Sequence, residues 1–164
     1  MTVSAIPKGF SSVTPYLIIE GAQQAICFYR DAFNAQLVMQ MPLPEGGIAH
    51  AEIIIGDSHI MISDSCPDES FKSPNALGGT PVSLMLYVED VDSVFKKAIE
   101  LGATEVRPVH DQFYGDRAGT LQDPFGHIWT IGTHKEDLSE QEINQRMADL
   151  MSKEQDAYSS LPCV

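Results

Sequence analysis

Basic side chains are scarce in this 164-residue chain, which has 10 Lys and Arg against 23 Asp and Glu and a formal net charge of −13. Nucleic-acid binding depends on a basic face that neutralises phosphates, and the few Lys and Arg are scattered along the chain. The composition therefore argues against a nucleic-acid partner. The acidic excess favours solubility over a specific acidic binding patch.

Long hydrophobic runs are also missing. The longest apolar segment, Tyr16–Ile19, has the length of a strand, whereas a membrane-spanning helix requires about 20 residues. The amino-terminal residues MTVSAIPKGF lack the basic start and apolar block of a secretory signal. We therefore expect neither membrane insertion nor export.

Cysteine is rare and unpatterned. The chain has 3 cysteines, Cys27, Cys66 and Cys163, and their spacing matches no metal or redox motif. The odd number argues against a disulfide framework and favours a reducing cytoplasm.

The chain contains two copies of one pattern, related by 69 residues. In residues 14–37 and again in 81–106, an apolar strand ends in a glutamate, Glu20 or Glu89, and an amphipathic helical stretch follows. Further strand segments complete each copy. Each half is therefore predicted to be β-α-β-β-β, which gives eight strands and two main helices.

Local signals mark the boundaries of these elements. Asn34 and Gly102 tolerate the left-handed conformation at a helix C-terminus. Gly56-Asp57 predicts a hairpin turn in the first copy, and residues 123–126, DPFG, predict its counterpart in the second.

The predicted fold class is α+β, with a single domain over residues 1–152 built from two units at about 11–65 and 80–135. The Pro-, Ser-, Asp- and Gly-rich stretch 66–79 is the predicted linker. A capping box at residues 139–142 begins a C-terminal helix predicted over 139–152, and residues 153–164 are left as a flexible tail. The apolar face of this helix packs either on its own domain or over the pocket or a neighbouring subunit, and amphipathicity alone does not choose.

Three segments carry a family resemblance: HAEIIIGDSHIMISD, GGTPVSLMLYVEDVD and DQFYGDRAGTLQDPFGHIWTIGTHKED. They resemble the vicinal-oxygen-chelate superfamily of glyoxalase I, extradiol dioxygenases and bleomycin-resistance proteins, and look most like its PhnB-like, glyoxalase-like branch. The resemblance covers about residues 6–151 and implies that the strands of each unit curl into a half-barrel, so that two units close a cup. Function is a separate question, because one fold hosts many activities.

In the metal-dependent members of this superfamily, four His, Glu or similar ligands face into the cup from the first and last strand of each unit. Carried onto this chain, these positions fall on Thr14, Ser83 in the middle of the fifth strand, and Thr130, with Met61 or Ile62 as the fourth. Hydroxyl, thioether and hydrocarbon groups are poor ligands for divalent ions. We therefore expect no metal cofactor at these positions.

His50 and Glu52 lie two residues apart in a strand and therefore share one face. They form either a relocated metal site or acid–base pair, with His134 as a third metal donor, or a plain polar pair. Two donors are too few for a metal, which favours the polar pair. His59, His110 and His134 are single histidines, which are more often structural or surface groups than catalysts.

Residues 114–116 predict a hairpin turn, and Arg117 then opens the next strand. Arg117 either pairs with Asp116, Asp111 or Glu52 and braces the cup, or presents its guanidinium to a ligand carboxylate or phosphate. Bracing is slightly favoured.

Strand alternation assigns the rest of the cup wall. If Thr130 faces the cup, Trp129 faces the helices and belongs to the core. The candidate lining residues are Thr14, Tyr16, Ile18, His50, Glu52, Met61, Ser63, Ser83, Met85, Tyr87, Tyr114, Arg117 and Thr130. Such a wall suits an apolar ligand oriented by a few hydrogen bonds, and it lacks the paired nucleophile and base of an activated centre.

These observations favour a cytoplasmic homodimer that binds or sequesters a small, partly aromatic or hydrophobic molecule, as the bleomycin-resistance members do. The alternative is a metal-dependent lyase, isomerase or dioxygenase of the glyoxalase type, with a divalent metal on relocated ligands. A third interpretation is a structural or regulatory partner with a vestigial cup. The repeats suit a cup closed within one chain and a cup closed across a dimer equally well.

Overall fold

A computed structural model describes residues 3–66 and 71–159, with only the backbone described for 154–159. Unit 1 consists of β1 (Tyr16–Ile19), α1 (Ala22–Phe33), β2 (Gln36–Pro42), β3 (Ile48–Ile55) and β4 (Ser58–Asp64). A short helix, α2 (Pro74–Leu77), follows. Unit 2 consists of β5 (Ser83–Tyr87), α3 (Val91–Glu100), β6 (Thr104–Asp111), β7 (Asp116–Gln122) and β8 (Ile128–His134). The last helix is α4 (Glu140–Ser159).

The two units have the same sheet topology. The strand order is β1-β4-β3-β2 in unit 1 and β5-β8-β7-β6 in unit 2. The first strand of each unit pairs in parallel with the last, and the remaining pairs are antiparallel. The α+β fold with two β-α-β-β-β units is therefore confirmed.

Helices α1 and α3 pack against each other and against the sheets, so that both units share one core. Trp129 of β8 lies in this core, 2% exposed, with its ring 4.9 Å from that of Phe33 and 5.4 Å from that of Tyr29. This position confirms the prediction that Trp129 faces the helices. Asn34 ends α1 with a positive φ of 57°, as its left-handed tolerance predicted.

The linker is more ordered than its composition suggested. Ser73 is fully buried, and its hydroxyl accepts a 3.2 Å hydrogen bond from the Ala76 N–H. Pro74 at the first helical position suits this start, so a one-turn helix forms inside the predicted linker. Residues 67–70 of that linker lie outside the described part of the chain.

The C-terminal helix begins as predicted and ends later. The Ser139 hydroxyl accepts from the Glu142 N–H at 3.3 Å, and Glu142 Oε2 accepts from the Ser139 N–H at 2.9 Å, which confirms the capping box. The helix continues to Ser159, so its predicted end at residue 152 is wrong. Between Ser139 and Pro162 the sequence has no Gly or Pro, which explains the longer helix. Residues 160–164 lie outside the described residues.

Helix α4 lies beside the end of β6 in its own chain, where Arg146 and Leu150 border a groove with residues 110–113. Arg146 also donates a 2.7 Å hydrogen bond to Glu136. Met147 and Met151 of α4 remain exposed. Within the described residues, no helix is long and apolar enough to cross a membrane.

Candidate functional site

Each sheet packs one face on the helices and turns the other away from them, and we call the second the open face. In β1, Leu17 and Ile19 are buried, while Tyr16 and Ile18 lie on the open face. The same alternation in β5 leaves exposed Ser83, Met85 and Tyr87. Because successive strand residues point to opposite faces, the open face corresponds to the wall of the predicted cup.

The last strands of the two units place Met61 and Thr130 at equivalent positions on the open face. Met61 lies opposite Tyr16, and Thr130 lies opposite Met85. The 69-residue repeat of the sequence relates these two pairs. Ile62 is fully buried on the helix side, so Met61 is the counterpart of Thr130.

The first-strand positions differ from their predicted locations. Ser83 is the first residue of β5, not a residue in its middle. Thr14 lies before β1, and its hydroxyl donates to the Ser11 carbonyl at 3.2 Å. Pro15 and Pro81 stand just before the two strands, and proline lacks the N–H that a strand ladder uses. Both strands therefore begin later than their apolar patterns suggested.

These positions do not fit a divalent-metal centre. The predicted ligand positions Thr14, Ser83 and Thr130 carry hydroxyls and Met61 carries a thioether, and Glu52, in register with Met61, is the one carboxylate paired with them. A divalent-metal centre needs several carboxylate, imidazole or thiolate donors. Within the residues that the structure describes, no three His, Cys, Asp or Glu side chains come together as a metal site. His134 is therefore not grouped with His50 and Glu52, as the relocated-ligand alternative requires.

Three polar side chains of unit 1 form a hydrogen-bonded chain on the open face. The Tyr16 hydroxyl lies 3.1 Å from His50 Nδ1, and His50 Nε2 lies 3.4 Å from Glu52 Oε1. An ionised carboxylate only accepts hydrogen bonds, so Glu52 holds the proton of a neutral imidazole on Nε2. Nδ1 is then an acceptor, and the Tyr16 hydroxyl donates to it.

A cleft of about 470 Å³ adjoins this hydrogen-bonded chain, and Tyr16 forms part of its wall. Its apolar lining residues are Ile18, Leu43, Ile48, Ala49 and Phe71. Its other described lining residues are Ser63, Asp64, Ser65 and Cys66. The cleft thus combines a mostly apolar wall with a few polar groups.

The carboxylate of Asp64 has a structural role at the edge of this cleft. Its Oδ1 accepts from the N–H groups of Gly21 at 3.0 Å and Ala22 at 2.8 Å, and its Oδ2 accepts from the Ile48 N–H at 2.6 Å. These bonds satisfy the start of α1 and hold β3 against the end of β4.

A second polar network lies in unit 2. The Tyr87 hydroxyl donates to Asp116 Oδ2 at 2.8 Å, and His134 Nδ1 lies 2.7 Å from Asp116 Oδ1. His134 Nε2 lies 3.1 Å from Asp137 Oδ1. Hydrogen bonds to Asp116 and then Asp137 raise the pKa of His134. The structure therefore brings the candidates Tyr87 and His134 together around a buried carboxylate.

Tyr114 lies in the turn between β6 and β7, next to this network. Its ring meets that of Phe113 edge to face at 5.2 Å. Burial, followed by the nearby Asp116 charge, raises the pKa of the Tyr114 hydroxyl. Thr130 belongs to neither network, because its hydroxyl pairs with that of Thr120 across the ladder at 3.1 Å.

Arg117 does not line the cup. Its Nε and Nη2 each donate a 2.8 Å hydrogen bond to Asp92 on α3, and its Nη1 donates a 3.1 Å bond to Asp111. In β7 it shares a face with Leu121, which is fully buried in the core, so it projects to the helix side. These hydrogen bonds raise the pKa of Arg117. Arg117 therefore braces neighbouring elements through ion pairs, as one of its two interpretations predicted. Of the three predicted partners, Asp111 is the one that it contacts.

The other histidines have separate surroundings. His59 stacks on Phe10 with ring centroids 4.1 Å apart, and exposed His110 lies 3.1 Å from the Asp111 carbonyl. His127 is buried, and burial lowers its pKa against the opposing effect of Asp123. Their positions favour structural roles over a shared centre.

Several residues of the open face escaped sequence reasoning. Met39 pairs with Glu52 and Met41 pairs with His50, so both methionines border the polar chain of unit 1. Their spacing of two residues was a usable signal. Phe71 also lines the cleft. It lies in the linker, where no periodic pattern predicts which side chains face a site.

Comparison with known proteins identifies relatives of this chain. The family model of the Glyoxalase/Bleomycin resistance protein/Dioxygenase superfamily matches residues 11–131. Protein Mb0911c of Mycobacterium bovis is 38% identical over 140 residues, which cover 84% of this chain and 92% of that protein.

Two solved structures are also similar. TioX from Micromonospora sp. ML1 is 25% identical with a TM-score of 0.59, covering 79% of this chain and 100% of that one. The PhnB protein from Bacillus cereus, a putative 3-demethylubiquinone-9 3-methyltransferase, is 24% identical with a TM-score of 0.61, covering 75% of this chain and 99% of that one. The latter likeness concerns the fold alone.

Proposed function

Because the chain belongs to the Glyoxalase/Bleomycin resistance protein/Dioxygenase superfamily, we propose that the open face of unit 1 binds or sequesters a small, partly apolar molecule. The observation that carries this proposal is the cleft of about 470 Å³ beside Tyr16. Clefts of this size with an apolar wall and a few polar groups are typical of small-molecule sites.

The donor chemistry of the open face supports binding without a metal. Hydroxyl and thioether groups occupy the positions at which the metal-dependent members carry ligands, and these groups suit contact with an organic molecule. Methionine side chains are unbranched and polarisable, so they adapt to ligands of irregular shape. Met39, Met41 and Met61 provide such a surface around His50 and Glu52.

We also propose that the protein works as a cytoplasmic homodimer. Met41, Met85 and Tyr87 leave large apolar side chains exposed on the open face, and Tyr87 is 59% exposed. A second copy that covers part of this face would remove apolar surface from water. Cys27 and Cys66 are free thiols, which suits a reducing compartment.

Native mass spectrometry of the purified protein, combined with elemental analysis, tests this function. We expect a bound or titratable small molecule and metal far below one equivalent. Ala49→Trp should block the cleft and weaken ligand binding, whereas Ala148→Trp on exposed α4 is the matched control. Size-exclusion chromatography with light scattering tests the dimer, and a monomer would contradict it.

One equivalent of zinc, nickel, iron or manganese would overturn the proposal. If His50→Ala or Glu52→Ala then abolished metal binding while the fold stayed intact, the metal-dependent lyase, isomerase or dioxygenase would replace it. No co-purified molecule and no thermal shift with any member of a compound library would favour a vestigial cup.

A further inference from the structure

Resting on the proposed binding function, we propose that the cleft of unit 1 selects a flat apolar molecule that carries a neutral hydrogen-bond donor. The Tyr16 oxygen is the acceptor for that donor. His50 and Glu52 are positioning residues, because they act on the ligand through Tyr16.

The direction of the hydrogen bonds sets this preference. A tyrosine hydroxyl has one hydrogen to donate and lone pairs that accept. In the neutral tautomer with the imidazole proton on Nε2, which faces Glu52, His50 accepts at Nδ1, and the 3.1 Å bond uses the hydrogen of Tyr16. The lone pairs of the Tyr16 oxygen therefore remain available, and a ligand N–H or O–H can donate a hydrogen bond to them.

The charge around the cleft disfavours anions. Among the described lining residues Asp64 is the charged side chain, and Glu52 lies close by in the hydrogen-bonded chain. The whole chain carries a net charge of −13. A ligand carboxylate or phosphate would meet like charges and would also lack a donor for Tyr16.

The apolar wall suits a planar ring system. Tyr16 is 48% exposed and Phe71 is 60% exposed, so both present aromatic surface at the cleft. Ile18 and Ile48 add aliphatic surface. Aromatic and aliphatic side chains together bury a flat apolar body efficiently, while one hydrogen bond orients it.

Isothermal titration calorimetry with three naphthalene probes tests the inference. 2-Naphthol offers a donor, 2-methoxynaphthalene has the same ring without the donor, and 2-naphthoate is anionic. We expect 2-naphthol to bind about five- to tenfold more tightly than 2-methoxynaphthalene, as one hydrogen bond to a neutral group provides. 2-Naphthoate should bind weakest.

Variants locate the preference. Tyr16→Phe should abolish the difference between 2-naphthol and 2-methoxynaphthalene, and Glu52→Gln should reduce it because the imidazole tautomer is no longer fixed. Glu100→Gln on α3 changes the net charge equally at an exposed position and should leave the preference intact.

Equal binding of 2-naphthol and 2-methoxynaphthalene, or tightest binding of 2-naphthoate, would overturn the inference while leaving a binding function in place. Tyr16→Phe weakening both neutral probes equally would also overturn it, because Tyr16 would then act through packing. Failure of all three probes to bind would reject this ligand class, and the mass-spectrometric experiment would decide the general function separately.

Discussion

The hydroxyl of Tyr29 on α1 donates a 2.7 Å hydrogen bond to the buried carboxylate of Asp123, in the turn before β8. The same carboxylate accepts from the Trp129 indole at 3.0 Å and from the N–H groups of Phe125 and His127, both at 2.9 Å. Burial, and then the Asp123 charge, raise the pKa of Tyr29 well above its usual value. This bond therefore ties the helix of unit 1 to a turn of unit 2.

Tyr29→Phe should lower the free energy of unfolding by about 1–3 kcal/mol, because it removes one donor from a buried carboxylate. Tyr87→Phe removes a similar bond to Asp116, but Tyr87 is largely exposed and water can replace it. Urea unfolding of both variants measures the difference. Equal losses in the two variants would contradict the structural role of Tyr29.

Gly119→Ala should destabilise the protein by about 1–3 kcal/mol through overpacking. An added Cβ would lie 2.8 Å from Val109 Cγ2 and 2.9 Å from Phe95 Cε2, between β6 and α3. Gly132→Ala is the comparison, because its Cβ would meet the flexible end of Met85 at 2.7 Å. Thermal and urea unfolding should show a clearly larger loss for Gly119→Ala, and the reverse order would contradict this packing.

His134 should titrate above its ordinary pKa of 6.5, because Asp116 and Asp137 favour its protonated form. Since the folded-state pKa is raised, the resulting stabilisation is fully present below pH 6.5 and is lost as the pH rises through the folded pKa. NMR titration of the ring protons measures this pKa. Asp116→Asn should bring it down, and an unchanged value in that variant would refute the assigned cause.

Arg117→Ala should leave the affinity for any ligand of the open face unchanged, because Arg117 lies on the helix side. It should lower the unfolding midpoint more at low salt than at high salt, since its ion pairs with Asp92 and Asp111 are partly exposed. Calorimetric binding and urea unfolding at two salt concentrations check both statements. A loss of ligand affinity would instead indicate that Arg117 contacts the ligand.

Local chemistry accounts for what could be predicted. The 69-residue repeat, the period-two and helical patterns, the turn at Gly56 and the capping box at Ser139 each depend on residues near one another in the chain. Such signals determine the elements and, through their repetition, the β-α-β-β-β units. They also indicated that Trp129 belongs to the core.

Side-chain partners across strands depended on register. The Tyr16 and His50 side chains meet although they are 34 residues apart. Arg117 and Asp116 are adjacent in the chain, yet Arg117 donates to Asp92 on α3, whereas Asp116 accepts from Tyr87 and pairs with His134. A shift of one residue in a strand exchanges the two faces, so composition alone could not assign them.

The sequence by itself thus determined the repeated architecture and the absence of good metal donors at the positions that the family resemblance marks. The tertiary structure decided which polar groups combine: Tyr16 with His50 and Glu52 beside an apolar cleft, and Tyr87 with Asp116 and His134 in the other unit. The physical reason is that periodicity is a local property of the chain, whereas a binding site requires distant strands to align in one register.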